Sequence, residues 1–201
     1  MCTLRVRDPV TDAAVRRLVL VRHAKSDYPL GVGDHDRPLN ARGRRDAPFI
    51  GSWIRDHVEW PEGTEALVLV STALRAQLTW QLASNGLDER WRSAPRRDEP
   101  GIYEASYRAL LAVIAETPDV VRTLVLVGHN PGMIDVVATL GIDGPVYREA
   151  TVKFPTSAVA VLAGSGDWPS VAHARPELTV EAFTVPRANS TRCTTCPSRP
   201  S

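Results

Sequence analysis

The tetrapeptide Leu-Val-Leu-Val occurs three times in this chain, at residues 18–21, 67–70 and 124–127. Each run is too short for a helix, lacks polar alternation and is rich in β-branched residues, the pattern of a strand buried on both faces of a parallel sheet. The runs are unevenly spaced, which excludes a fixed-period solenoid. Helical patterns fill the gaps. Asn40 predicts an N-cap for a helix reaching about His57, and Ser71 or Thr72 caps a second that continues through Trp80 toward Asn85. A third helix is expected over 105–115, stopped near Pro118, and a fourth opens at Pro131, since proline is tolerated at a first helical position. Residues 157–163 and 178–185 are further strand candidates at or near a sheet edge. The expected fold is α/β: a three-layer α/β/α sandwich with a mainly parallel central sheet.

With 201 residues, 43% of them hydrophobic and 23% charged, the chain can bury one substantial core. That domain is expected over 17–185. Residues 1–16 and 186–201, polar and poor in large apolar side chains, read as disordered tails. Lys+Arg number 24 against 23 Asp+Glu, a balance that excludes nucleic-acid binding through bulk charge. The only lysines are Lys25 and Lys153, so the positive charge is nearly all guanidinium, the group suited to bidentate carboxylate or phosphate contacts. Apolar runs fall far short of the roughly 20 residues that cross a bilayer, so no membrane partner is expected. The N-terminus shows no apolar signal-peptide region, which points to the cytoplasm. Cys2 is isolated and Cys193 and Cys196 lie in the C-terminal tail, so no disulfide framework is indicated.

The residues at the carboxyl end of each apolar run carry the chemistry. The first run leads into Arg22-His23, the second into Ser71-Thr72 and, one helical turn on, Arg75, and the third into Gly128-His129. Ligand crevices of open α/β sheets lie at the carboxyl ends of the strands, so two histidines and two arginines should meet at one edge. His129 also precedes Asn130-Pro131 at the entry to a helix, where free N–H groups and the dipole attract anions. A lone histidine at a strand end is more often structural; two at equivalent ends beside arginines describe a phosphate pocket.

These segments resemble the histidine phosphatase superfamily, with its phosphoglycerate-mutase-like fold, and within it the short branch typified by the phosphohistidine phosphatase SixA. LVLVRHAKSDYP at 18–29 is similar to the signature bearing the nucleophilic histidine, and RPLNARG at 37–43 to the helix entry after it. STALRAQLT at 71–79 resembles the segment with the second phosphate-binding arginine, LVGHNPG at 126–132 that with the second histidine, and KFPTSAVAVL at 153–162 the next strand. The resemblance implies His23 as nucleophile, with Arg22, Arg75 and His129 binding the phosphoryl group and His129 also catalytic. It implies a metal-independent phosphatase without cofactor, working through a covalent phosphohistidine on His23. The expected partner is a phosphorylated protein carrying phosphohistidine, or a small phosphorylated substrate. Two alternatives remain open: a phosphatase of small esters such as a sugar phosphate or nucleotide, and a non-catalytic module that binds phosphate or phosphoprotein. The short span between Arg75 and His129 argues against a mutase. No feature of the sequence sets an oligomeric state.

Relatives acting on esters generally carry a carboxylic acid between the Arg75 and His129 segments to protonate the leaving oxygen. Asp98, Glu99 and Glu104 are available there, and Glu104 is the favoured candidate. GVGDHDR at 31–37 lacks the third glycine of a dinucleotide loop and reads as a flexible loop at the pocket mouth. Asp34, His35 and Asp36 within it read as solvated rather than metal-binding, and Cys193-x-x-Cys196 has no partner pair for zinc. Arg42, Arg44 and Arg45 near a helix start either attract an acidic substrate or form a solvated face.

Overall fold

In the computed structural model the three Leu-Val-Leu-Val runs lie side by side in matched register. Leu124 of β4 (Val121–Gly128) pairs with Leu18 of β1 (Arg16–Arg22) on one flank and with Leu67 of β2 (Glu65–Ser71) on the other, all parallel. Alternation then separates the two residue types. Leu18, Leu20, Leu69, Leu124 and Leu126 face one core, while Val19, Val21, Val68, Val70, Val125 and Val127 face the other. Each fully buried Leu or Val contributes about 1.5–3 kcal/mol, so a one-residue slip in register would be strongly opposed.

The structure describes residues 15–173 and 178–186. The six-stranded sheet has the order β3-β2-β4-β1-β5-β6, with β3 (Arg96–Glu99) parallel to β2, and β5 (Val159–Gly164) antiparallel to both its neighbours, β1 and β6 (Thr179–Thr184). Helices α1 (Ala41–His57), α2 (Leu74–Ala83) and α3 (Glu89–Ser93) cover the valine face through Ile50, Trp53, Ile54, Trp80 and Trp91. The leucine face is covered by α4 (Tyr107–Ala115), α5 (Gly132–Leu140), α6 (Pro145–Val152) and α7 (Trp168–His173), through residues such as Leu110, Ile114, Val137 and Trp168. The expected three-layer sandwich is therefore present. None of the described helices is long and apolar enough to cross a membrane.

Several local expectations need correction. Ser71 ends β2 and does not cap α2, which starts after Ala73 without a side-chain cap. The third helix begins at Tyr107, capped by Ser106 Oγ, rather than at Ala105. The fourth begins at Gly132, with Pro131 as its cap. β6 forms the sheet edge and β5 lies next to it, as expected of these two segments. β1 starts at Arg16, a residue expected in the N-terminal tail; its guanidinium is 3% exposed because Asp119 pairs with it and Trp168 lies beneath it. Cys2, Cys193 and Cys196 lie outside the described residues.

The entry of α1 fixes the segment after His23. Asn40 Oδ1 accepts from Gly43 N at 2.9 Å, as expected of an N-cap, and Asn40 N donates to the Lys25 carbonyl at 3.0 Å. A Cβ at Gly43 would stand 2.2 Å from that carbonyl oxygen. Gly43→Ala is accordingly expected to destabilise the protein by about 1–3 kcal/mol, read as a lowered Tm; an unchanged Tm would contradict this packing.

Candidate active site

β1 and β4 are adjacent, yet α1 after β1 packs on the valine face and α5 after β4 on the leucine face, so a crevice opens between their carboxyl ends. The matched register places the next residues of both strands there. His23 N donates to the Gly128 carbonyl at 2.9 Å, and the His23 and His129 rings come within 5.0 Å of one another. Both rings are 8% exposed.

His23 Nδ1 lies 2.8 Å from the Ala24 carbonyl oxygen, which can only accept, so Nδ1 carries the hydrogen and Nε2 keeps its lone pair. Burial pushes His23 down to about 3, opposed by the Ala24 bond and helped by the charges of His129, Arg75 and Arg22. His129 falls to about 4, through burial first and then Arg75. Both imidazoles are therefore neutral near pH 7. In the unfolded chain they would take up protons from about pH 6.5 downward, so acid weakens the fold between there and about pH 3. The expected NMR result is that their ring resonances do not titrate between pH 8 and 5; midpoints near 6.5 would refute this burial.

The arginines enter from two sides. Arg22 Nη1 donates to the Phe154 carbonyl at 2.7 Å, and that oxygen also accepts from Asn130 Nδ2 at 2.8 Å, tying the ends of β1 and β4 to the approach to β5. Ser157, with φ 67°, adopts a left-handed backbone and donates its N–H to the carbonyls of Arg22 and His23 at 3.2 and 3.1 Å. Arg75 occupies the first turn of α2 and is 6% exposed. Thr79 Oγ1 donates to the Arg75 carbonyl at 2.6 Å and accepts from Ala24 N at 2.9 Å, coupling that helix to the His23 segment. His129 Nε2 shares a hydrogen bond of 2.8 Å with Ser71 Oγ. His23, Arg22, Arg75 and His129 are thus assembled at one sheet edge, as the sequence predicted.

The loop at 31–37 is a built part of this site rather than a loose flap. Asp34–Asp36 forms a short 3-10 turn. Asp34 accepts from Arg75 Nη1 on its carbonyl at 2.5 Å, and on its carboxylate from Arg75 Nη2 at 2.9 Å, Arg37 Nη1 at 2.6 Å and Tyr103 Oη at 3.0 Å. Partial desolvation opposes ionisation of Asp34, but the Arg37 and Tyr103 bonds and the Arg75 charge outweigh it and hold the group at about 2. Asp34 is anionic, and it orients Arg75 from the outside.

Glu104, the favoured acid, is not bonded to the four site residues: it is exposed, has φ 51°, and makes no hydrogen bond or ion pair with His23, Arg22, Arg75 or His129. Asp98 accepts from Gln77 and Arg96, and Glu99 from Arg97 and Gly101 N, so neither carboxylate points to the histidines through a hydrogen bond. Tyr103, adjacent to Glu104, is the group that reaches inward: its ring meets that of His129 edge-on at 5.7 Å. Arg42 and Arg45 are engaged with Asp46 in the first turns of α1. Among the described residues no cluster of His, Cys, Asp and Glu could hold a metal ion.

Two neutral histidines and two guanidinium groups at the switch point of an α/β sheet define a site for a tetrahedral oxyanion. The chain belongs to the histidine phosphatase superfamily, whose branch 1 model matches residues 18–123, and it is a phosphatase of that superfamily. It is 41% identical over 155 residues to the uncharacterized protein Rv1276c of Mycobacterium tuberculosis, covering 75% of this chain and 91% of that one. Among solved structures, one from Nakamurella multipartitia titled a "putative phosphohistidine phosphatase SixA" superposes with a TM-score of 0.74 at 28% identity, covering 88% of this chain and 99% of that one. Another of that name from Agrobacterium tumefaciens gives a TM-score of 0.65 at 29% identity, covering 85% and 99%.

Proposed function

We propose that this protein hydrolyses phosphohistidine on other proteins, without a metal, through a phosphoryl group carried on His23. The observation that carries the mechanism is the Nδ1 contact with the Ala24 carbonyl, which leaves neutral Nε2 as the nucleophilic atom in a pocket flanked by Arg22, Arg75 and His129. Nε2 attacks phosphorus in line as the bond to the leaving group breaks, and water then attacks the resulting phosphohistidine to release phosphate and restore His23. The two guanidinium groups and the hydrogen-bonding ring of His129 stabilise charge on the equatorial oxygens, the role metal ions take in other phosphoryl-transfer sites.

The substrate class is argued from the leaving group. An alkoxide needs a strong positioned acid, and the carboxyl group bonded into the site, Asp34, is held ionised by Arg37, Tyr103 and Arg75. A departing imidazole, whose conjugate acid titrates near pH 6.5, does not. The likeness to two structures titled "putative phosphohistidine phosphatase" supports the same reading. The native protein is expected to turn over a phosphohistidine protein with kcat/KM at least about 10²-fold above glycerol phosphate. Equal values would replace this substrate with small esters, and no turnover of any phosphorylated compound would leave a binding module. Excess EDTA should leave the rate unchanged; loss restored by zinc or manganese would reassign the histidines as metal ligands.

A further inference from the structure

The 34–36 turn carries a group that neither the resemblance nor the proposed mechanism uses. His35 lies over the carboxyl end of β2, its Nε2 3.0 Å from Thr72 Oγ1, one residue beyond the Ser71 hydroxyl that bonds His129. Its ring meets Tyr103 edge-on at 4.8 Å, and Tyr103 in turn meets His129. His35 Nδ1 faces Asp36 Oδ1 at 3.4 Å. Flanked by Asp34, whose carboxylate and carbonyl hold Arg75, the imidazole is fixed at the mouth of the phosphoryl pocket rather than loose in solvent.

We infer that His35 is the proton donor to the leaving group. The inference rests on the phosphatase reading and deepens it. The neighbouring phenol and carboxyl groups are held by other partners or lie in solvent. Asp34 is an anion held by Arg75, Arg37 and Tyr103, and the Tyr103 phenol gives its hydrogen to Asp34. Glu104 is exposed, and Asp98 and Glu99 are held by their arginine partners.

His35 Nδ1 faces Asp36, and Nε2, beside Thr72, is the atom that gives the proton. As His23 Nε2 bonds to phosphorus, the bond from phosphorus to the leaving nitrogen or oxygen breaks, and the Nε2 proton of His35 passes to that atom. Neutral His35 then accepts a proton from the water that attacks the phosphohistidine, which returns it to the charged form. An imidazolium can protonate a departing imidazole or an ester oxygen, so this step does not by itself set the substrate class.

The test uses His35→Gln, which keeps an N–H for Thr72 but cannot transfer a proton, with phenyl phosphate and p-nitrophenyl phosphate as probes. p-Nitrophenolate leaves unaided, whereas phenolate gains from protonation. The variant is expected to lose on the order of 10²-fold or more in kcat/KM on phenyl phosphate, and less than about 5-fold on p-nitrophenyl phosphate. Equal losses on both would assign His35 a purely positioning role, and no loss on phenyl phosphate would remove it from the reaction; either overturns the inference. Failure of the native protein to turn over p-nitrophenyl phosphate would overturn the phosphatase reading itself, a result separable from both.

Discussion

His23→Ala is expected to lower kcat/KM for p-nitrophenyl phosphate by on the order of 10⁴-fold or more, the scale seen when a covalent nucleophile is removed. The loss should fall on kcat, because Arg22, Arg75 and His129 remain to bind the phosphoryl group. Substrate analogues such as inorganic phosphate should accordingly still bind the variant. The imidazole makes one hydrogen bond, to the neighbouring carbonyl, so its removal breaks no long-range link in the fold and the far-UV circular dichroism should be retained. Near-normal turnover by a folded His23→Ala protein would be incompatible with the proposed intermediate.

Arg75→Ala is expected to cost about 10²- to 10³-fold in kcat, because it removes a fixed charged donor from the equatorial oxygens. Arg75→Lys should recover less than about 10-fold of this, since an ammonium restores the charge but not the planar fork that also grips Asp34. Asp34→Asn separates the two roles: it weakens the anchor of the 34–36 turn but leaves the guanidinium in place, so its loss should be smaller than that of Arg75→Ala. The reverse ranking, measured in kcat under saturating substrate, would mean that Arg75 acts chiefly as a tether for the turn.

The parts of this molecule legible in its sequence are those where one residue pattern serves both folding and chemistry. Leu-Val-Leu-Val announces a strand because both faces must be buried, and the matched register of the three copies brings His23, Ser71 and His129 together. β3 escaped notice for the opposite reason: Arg-Arg-Asp-Glu is polar, mostly exposed and only four residues long, a strand held by pairing with β2 and not by its own side chains. Ser71 misled because a serine before a helix has the chemistry of a cap, but its hydroxyl is committed to His129 and its backbone to β2. The Asp34–Arg75 pair spans 41 residues and leaves no local pattern. The Phe154 carbonyl and the Ser157 N–H act through backbone atoms, which have no signature in sequence at all. Glu104 is eligible by residue type and order; its exposure and left-handed backbone are features that order alone does not show.

The central claim is that water never attacks the substrate phosphorus directly, because His23 does so first. Stereochemistry at phosphorus tests this without requiring the intermediate to accumulate. A phosphorothioate monoester made chiral by its sulfur and two oxygen isotopes, hydrolysed by the native protein in water carrying the third, releases a chiral thiophosphate whose configuration counts the displacements. Two successive in-line displacements, through His23 Nε2 and then water, predict net retention. Net inversion would show a single displacement by water and would contradict the covalent role assigned to His23.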